Sequence, residues 1–201
     1  MDRLDAIRRV VALVESLGRH CCLVGGLAVS ARARERFTKD IDFAVAVAND
    51  AQAEAVALGF QRAGYPLMQV LEQTERAVLS TLRFAVPGSG SAAPGIDLLF
   101  GSCGIEAEIV ARAEQVAFRP GVEIPVARLP HLIAMKVLSE SAIRANDHAD
   151  LHALIAAATK AELAEAEAAV RLIAARGFDR GKDLVAILAG FVAQRSSSRP
   201  S

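Results

Sequence analysis

Two aspartates separated by one residue stand at the start of a segment that favours β-structure. Asp40 and Asp42 open DIDFAVAV at residues 40–47, which is rich in β-branched and aromatic residues. Because strand side chains alternate between two faces, we expect both carboxylates on one face and Ile41 and Phe43 in the core. Aspartate is disfavoured in strands, and two like charges one pleat apart repel each other unless a cation lies between them. The pattern therefore predicts a divalent-ion site.

A third aspartate interrupts another apolar segment. Asp97 lies in GIDLLF at residues 95–100, where an unpaired buried charge would be costly. A neighbouring strand would bring it to the first two carboxylates as a third ligand. Hard oxygen ligands favour magnesium, and two such ions can activate a nucleophile and a leaving group together. The three aspartates thus predict two Mg²⁺ ions and phosphoryl or nucleotidyl transfer.

Each aspartate also has a purely structural interpretation. Asp40 and Asp42 could begin a solvated strand, with an aspartate side chain closing a turn after Thr38. Asp97 could form a salt bridge with Arg83 on an adjacent strand. The residues alone leave these alternatives open.

A glycine pair precedes the first two aspartates. Gly25 and Gly26 follow the short apolar run at residues 21–24, which predicts a buried strand, and precede residues 27–36, which predict a helix. A glycine turn that leads into a helix N-terminus presents backbone amides to phosphate oxygens. We therefore expect a triphosphate between this turn and the aspartates, the alternative being a tight turn without a ligand.

The remaining pattern predicts an α/β (α+β) protein with a mixed sheet flanked by helices. Further helices are predicted at residues 3–17 and about 50–63, and strands at 78–86 and 95–100 are joined by a surface loop at 87–95. After about residue 128 the pattern is helical, at residues 129–144, 147–158, 160–177 and 178–195. We expect a catalytic domain at 1–128, a helical region at 129–195 and a disordered tail at 196–201.

Composition limits the environment in which the chain works. Its 201 residues balance 23 basic against 23 acidic side chains, so no global field commits it to nucleic acid or to a membrane. Cys21, Cys22 and Cys103 show neither a disulfide framework nor zinc-ligand spacing. Charged residues interrupt the apolar ones at the N-terminus, unlike a signal peptide or a membrane span. We expect a cytoplasmic protein with reduced thiols and no membrane partner.

These motifs together resemble a known superfamily. The glycine pair, thirteen further residues and then DID look like the signature of the DNA polymerase beta-like nucleotidyltransferases, over residues 23–43. More narrowly, RFTKDID at residues 36–42 resembles the AbiEii/AbiGii-type nucleotidyltransferases, the toxin halves of some bacterial toxin–antitoxin pairs. LIAMKVLSESAIRANDHADLHAL, which follows later in the chain, strengthens this resemblance.

The resemblance, which spans about residues 20–155, implies a nucleotidyltransferase-like sheet domain followed by a helical bundle. It implies that Asp40 and Asp42 bind the catalytic metals, that Asp97 is a third ligand or base, and that Lys136 touches phosphates. The residues it places at the nucleotide are Gly25, Gly26, Arg36, Thr38, Lys136, Asp147 and Asp150. Two positions depart from the pattern, since Gly26 stands where many members have serine and Asn146 where relatives often have arginine.

Two of the implied residues have simpler interpretations. Lys136 lies among apolar residues, so its stem could run along the surface with its amine in water. Asp147 could be a helix cap or a first-turn acid, because negative charge is favoured there.

Two further pairs at helical spacing need an interpretation. A basic lip for a triphosphate or an RNA backbone could be formed by Arg32, Arg34 and Arg36, of which Arg32 and Arg36, four apart, would share a helix face. The alternative is a solvated surface. His148 and His152 have zinc-ligand spacing, but no third ligand accompanies them in a known motif.

Three functional hypotheses follow. The first is an enzyme that transfers a nucleotide from a nucleoside triphosphate to a hydroxyl of tRNA or protein and releases pyrophosphate, with an antitoxin as partner if it is a toxin. The second replaces the acceptor by a small molecule such as an aminoglycoside. The third is a non-catalytic module of the same fold that binds a nucleotide or a protein. Apolar residues on the alanine-rich C-terminal helices leave a homodimer open in each case.

Overall fold

The computed structural model describes residues 2–73, 78–88, 94–141 and 145–197. Seven strands occur in them: β1 (Cys21–Val24), β2 (Ile41–Val45), β3 (Leu67–Gln73), β4 (Val78–Ala85), β5 (Gly95–Leu99), β6 (Glu114–Arg119) and β7 (Val122–Val126). Eight helices occur in the same residues: α1 (Arg3–Ser16), α2 (Gly25–Arg32), α3 (Asp50–Arg62), α4 (Glu106–Ala111), α5 (Leu129–Ser139), α6 (Ala145–Ala157), α7 (Lys160–Ala175) and α8 (Leu184–Ser197).

The chain divides into two compact units. Unit 1 consists of Met1–Leu27, Arg36–Ser102 and Glu106–Ala127, and unit 2 of Ala28–Glu35, Cys103–Ile105 and Arg128–Ser201. All strands, with α1, α3 and α4, belong to unit 1, and α5 to α8 belong to unit 2. Helix α2 begins in unit 1 and continues into unit 2.

Unit 1 is built on a mixed sheet with the strand order β3-β4-β5-β2-β1-β7-β6. The central pairs β2–β5 and β1–β7 are parallel, whereas β1–β2, β4–β5, β3–β4 and β6–β7 are antiparallel. The predicted α/β architecture with a mixed sheet is therefore confirmed.

The core of unit 1 is formed by the central strands and the apolar sides of its helices. All four residues of β1 are buried, as are Ile41 and Phe43 on β2, which confirms the predicted direction of those two side chains. Helix α1 buries a stripe at helical spacing, in which Val10 is buried and Val11 only partly so. The residues of this stripe are Leu4, Ala6, Ile7, Val10 and Val14.

Polar caps explain where two of the helices begin. The side chain of Asn49 accepts a hydrogen bond from the Gln52 amide at 3.1 Å and starts α3. In unit 2, Thr159 Oγ1 accepts from the Glu162 amide at 3.2 Å, and the Glu162 carboxylate accepts from the Thr159 amide at 2.8 Å. That last bond lowers the pKa of Glu162.

Four predicted boundaries were wrong. Helix α2 includes the glycine pair and ends at Arg32, because the amides of residues 33 and 34 both donate to the Val29 carbonyl. Strand β2 is limited to Ile41–Val45. Helix α5 ends at Ser139, where Glu140 turns to extended backbone. Helix α8 begins only at Leu184, after Arg180 and Gly181 adopt left-handed φ angles of 57° and 69°.

Other predictions fall at the borders of the described residues. The predicted tail starts at residue 196, whereas α8 continues to Ser197. Residues 198–201, the end of the predicted helix at 142–144, and residues 89–93 of the predicted loop lie outside the described residues. Within the described ranges, no helix has the length and apolar content needed to cross a membrane.

The sequence pattern did not predict β3, α4, β6 or β7. Strands β3 and β6 form the two edges of the sheet, and β6 has no buried residue. On β3 the apolar side chains of Met68, Val70 and Leu71 are exposed. Edge strands such as these lack the clear alternation of buried and exposed positions on which strand prediction depends.

We expect Phe43→Ala to lower the free energy of unfolding by about 3–5 kcal/mol, because it removes a fully buried ring from β2. Phe37, which is 84% exposed, is the matched control, and Phe37→Ala should cost less than about 1 kcal/mol. Urea unfolding of both variants measures the difference. Equal losses would contradict the assignment of Phe43 to the core.

Candidate active site

Strand pairing brings two of the predicted aspartates together. Strands β2 and β5 are parallel neighbours, and Asp42 is the register partner of Asp97. Directly paired residues of neighbouring strands project to the same face of a sheet, so both side chains lie on one face. On its other side Asp42 pairs with Val24, the last residue of β1. Asp42 therefore lies in the middle of the sheet, directly beside the glycine pair with which α2 begins.

Asp40 lies one residue before β2 and contacts the start of β5. Its Oδ1 accepts a hydrogen bond from the Gly95 amide at 3.2 Å, and its Oδ2 lies 3.2 Å from Arg83 Nη2. In these two contacts the carboxylate links the residue before β2 to the neighbouring strand β5 and to β4 beyond it, and does not close a turn after Thr38. Neither contact was predictable from the sequence, because both depend on the strand register.

Arg83 binds Asp97 through two parallel hydrogen bonds. Nε lies 2.7 Å from Oδ1 and Nη2 lies 2.6 Å from Oδ2, and the two residues are register partners on β4 and β5. The structural interpretation of Asp97 as the partner of Arg83 is thus confirmed. The hydrogen bond with Asp97, followed by the charges of Asp97, Asp40 and Asp42, raises the pKa of Arg83. One guanidinium therefore neutralises part of the charge of three carboxylates.

The donor set suits Mg²⁺ chemically, since it consists of hard carboxylate oxygens, two of them on the central strands β2 and β5. As they stand, no three Asp, Glu, His or Cys side chains of the described residues are arranged to hold a metal ion. The cation that Asp40 and Asp97 contact is Arg83. The carboxylates are therefore ligands of the kind that Mg²⁺ prefers, while two of them, Asp40 and Asp97, are in contact with Arg83.

The glycine pair is required by close approach of the backbone to side chains of the site. Gly25 has a φ of +61°, and a Cβ there would lie 2.6 Å from Cγ of Asp42 and nearer still to its Oδ2. A Cβ on Gly26 would lie 2.5 Å from Nη2 of Arg36 and 2.8 Å from Oγ1 of Thr38. The N-terminus of α2 thus lies against Asp42, Arg36 and Thr38.

This contact also accounts for glycine at position 26. A serine side chain would meet the Arg36 guanidinium and the Thr38 hydroxyl, which already occupy that space. Arg36 follows the end of α2, so the prediction that Arg32 and Arg36 share a helix face was wrong.

Lys136, Asp147 and Asp150 form a separate cluster within unit 2. Lys136 Nζ on α5 lies 2.6 Å from Asp147 Oδ1 and 2.9 Å from Asp150 Oδ2, both on α6. The lysine side chain is 12% exposed and that of Asp150 is fully buried. The alternative of an amine held in water was therefore wrong. Asp147 does lie in the first turn of α6, so its structural interpretation is confirmed alongside the ion pair.

The two histidines pack against an aromatic ring. His148 and His152 lie 5.1 Å apart between ring centroids, and 4.7 and 4.9 Å from the ring of Phe191. No metal-binding group of three side chains includes them in the described part of the chain. The contacts are those of a small aromatic cluster in unit 2.

The chain is similar to several solved structures. An antigenic nucleotidyltransferase-like protein from Paracoccidioides brasiliensis is 15% identical with a TM-score of 0.53, over 92% of this chain and 91% of that one. The antibiotic-resistance factor ANT(2'')-Ia is 14% identical, with a TM-score of 0.48 and coverages of 97% and 94%. The lincosamide antibiotic adenylyltransferase LnuA is 15% identical, with a TM-score of 0.46 and coverages of 75% and 94%. The first likeness defines the class of fold as that of the nucleotidyltransferases.

The family is shown by the sequence as a whole. Residues 10–197 match the family described as "Nucleotidyl transferase AbiEii toxin, Type IV TA system". The chain therefore belongs to the AbiEii nucleotidyltransferase family and is a nucleotidyltransferase, as the motifs predicted. The curated proteins contain no match to the chain.

Gly25→Ala should destabilise the protein more than alanine at another left-handed glycine. Gly18 is the matched control, because its φ is +69° and a Cβ added there would meet nothing within 4 Å. Gly18→Ala should cost about 1–2 kcal/mol for backbone strain alone, and Gly25→Ala about 1–3 kcal/mol more for the overlap with Asp42. Urea unfolding measures both, and equal losses would show that the contact with Asp42 is unimportant.

Replacing Lys136 by methionine should lower the free energy of unfolding by about 3–5 kcal/mol, because it removes a cation that contacts the fully buried carboxylate of Asp150 and that of Asp147. Arg171 and Glu167 form an exposed ion pair on α7, and Arg171→Met should cost at most about 0.5 kcal/mol. Thermal and urea unfolding distinguish the two variants. A loss as small for Lys136→Met as for the control would contradict a structural role of this cluster.

Proposed function

We propose that this nucleotidyltransferase moves a nucleotide from a nucleoside triphosphate to an acceptor hydroxyl of RNA or protein and releases pyrophosphate. The proposal depends above all on one observation, the pairing of Asp42 with Asp97 beside the Gly25 turn. Paired carboxylates next to a helix N-terminus combine oxygen ligands for a divalent ion with amides that bind phosphate. Membership of the AbiEii family supports the same reaction class.

Asp40, Asp42 and Asp97 are the proposed ligands of two Mg²⁺ ions. When bound, magnesium supplies charge that stabilises the phosphate oxygens during transfer. The position of Asp42 and Asp97 on central strands of the sheet supports this role, since strand residues are held more rigidly than loop residues. The alternative role of Asp97, if it is not a metal ligand, is that of the base that receives the proton of the acceptor hydroxyl.

The residues around the glycine pair are the proposed triphosphate site. The amides of Gly25 and Gly26 would donate to phosphate oxygens at the positive end of the α2 dipole. Arg36 and Thr38, whose side-chain ends lie against Gly26, would add a positive charge and a hydroxyl donor. The acceptor oxygen then bonds to the α-phosphorus as the bond to pyrophosphate breaks.

Lys136, Asp147 and Asp150 are proposed as further nucleotide-contacting residues on the basis of the sequence resemblance. The ammonium of Lys136 already has two carboxylate partners. A phosphate contact by this lysine would therefore extend an existing ion cluster and would not involve a free amine.

The family description supports a role as the toxin of a toxin–antitoxin pair, with an antitoxin protein as partner. A reducing compartment such as the cytoplasm suits the three buried cysteines, which form no disulfide with one another. Burial raises the pKa of Cys22 to about 12, which keeps this thiol protonated and unreactive. A homodimer remains a prediction from the sequence.

The test is incubation with each of the four α-labelled ribonucleoside triphosphates, Mg²⁺, and RNA or cell lysate. We expect label to enter RNA or protein, and Asp42→Asn and Asp97→Asn to lower incorporation at least about 100-fold. Asp5→Asn, an exposed carboxylate on α1, is the matched control and should retain full activity.

Other outcomes separate the alternatives. Label in a small molecule would show that the acceptor is neither RNA nor protein. Transfer of label from a γ-labelled triphosphate would show that a phosphate, and not a nucleotide, is transferred. Nucleotide binding without any transfer, unchanged by Mg²⁺ or by either substitution, would indicate a binding module and contradict the proposal.

A further inference from the structure

Arg83 engages the same carboxylates that are the proposed metal ligands. Its guanidinium binds both oxygens of Asp97, at 2.7 and 2.6 Å, and Oδ2 of Asp40 at 3.2 Å. A divalent ion at this site would need oxygens that the guanidinium already uses. The inference drawn from this conflict depends on the proposed metal-dependent function.

The two cations compete for these oxygens. A carboxylate can accept several hydrogen bonds, but a guanidinium in direct contact brings its positive charge close to any ion bound to the same oxygens. The repulsion is large where water is scarce, and the side chain of Asp97 is only 13% exposed. Binding of a divalent ion therefore requires the guanidinium to withdraw from Asp97 and Asp40.

Arg83 is the partner that can move. Its side chain is 40% exposed, so its head can reach water without crossing the core. Asp97 is fixed by the central strand β5, between β4 and β2. Asp42, the register partner of Asp97, lies against the backbone of Gly25 on the same rigid sheet. The guanidinium is therefore the group that gives way when an ion enters.

We propose that Arg83 is a competing cation that sets the affinity of the active site for divalent ions. In the absence of an ion it neutralises Asp97 and Asp40, and an ion binds only by displacing it. The ion's apparent affinity is lowered by the strength of the Arg83 contacts. Arg83 is thus a specificity-determining residue, because a weakly bound or singly charged ion cannot replace a bidentate guanidinium.

The test measures binding of Mn²⁺ alone, without nucleotide, from the electron paramagnetic resonance signal of the free ion. Arg83→Gln should bind Mn²⁺ about five- to tenfold more tightly than wild type, because the charged competitor is gone. Arg119→Gln is the matched control, because Arg119 lies on the edge strand β6 and pairs with Asp2, the residue before α1. The affinity of this variant for Mn²⁺ should equal that of wild type. Asp42→Asn should weaken binding in both the wild-type and the Arg83→Gln background.

Two further measurements guard against an effect of misfolding. Arg83→Lys keeps one positive charge but cannot form the two parallel bonds, so its affinity should lie between those of wild type and Arg83→Gln. Mn²⁺ should also raise the melting temperature of Arg83→Gln more than that of wild type, because tighter binding to the folded state stabilises it more.

Failure of the Arg83 competition and failure of the metal site give different results in these measurements. If Arg83→Gln binds Mn²⁺ no more tightly than wild type while Asp42→Asn still weakens binding, the competition is overturned. The metal site and the proposed function then stay intact. Absence of Mn²⁺ binding in wild type and in all variants would overturn the competition together with the metal-dependent function.

Discussion

The parallel pairing of β2 with β5 is the interaction on which the candidate site depends. It sets Asp42 opposite Asp97, while the antiparallel pairing with β1 sets Asp42 beside Val24 and so beside the glycine turn. A slip of one residue in either pair would turn a carboxylate to the opposite face, because side chains alternate with a period of two. Burial of Ile41 and Phe43 on the other face resists such a slip.

The negative charges of buried and half-buried aspartates are balanced in a similar way within each unit. In unit 1 Arg83 contacts Asp97 and Asp40, and in unit 2 Lys136 contacts Asp147 and Asp150. In each case one basic side chain meets two carboxylates, so the negative charges are not left unpaired. The clusters differ in exposure, since the side chain of Arg83 is 40% exposed and that of Lys136 only 12%. Arg83 therefore has freedom to move that Lys136 lacks.

The central elements were predictable because local signals and tertiary packing agree there. The apolar run of β1, the buried alternation of β2 and the Asn49 cap of α3 each act within a few residues. The edge strand β3 was not predictable, since its exposed Met68 and Leu71 do not show which face is buried. The end of α2 at Arg32 was missed because residues 33–36 are ordinary helix formers, and only the surrounding structure ends the helix.

The sequence by itself determined the family, the central strands and the residue types of the site: three aspartates, a glycine pair and a downstream lysine. These are local patterns, and their spacing along the chain is enough to recognise them. Only the tertiary structure decided that Asp97 is held by Arg83, that Asp40 contacts the Gly95 amide, and why Gly25 must lack a side chain. Such contacts depend on strand register and on the approach of backbone to carboxylate, which involve residues distant in sequence.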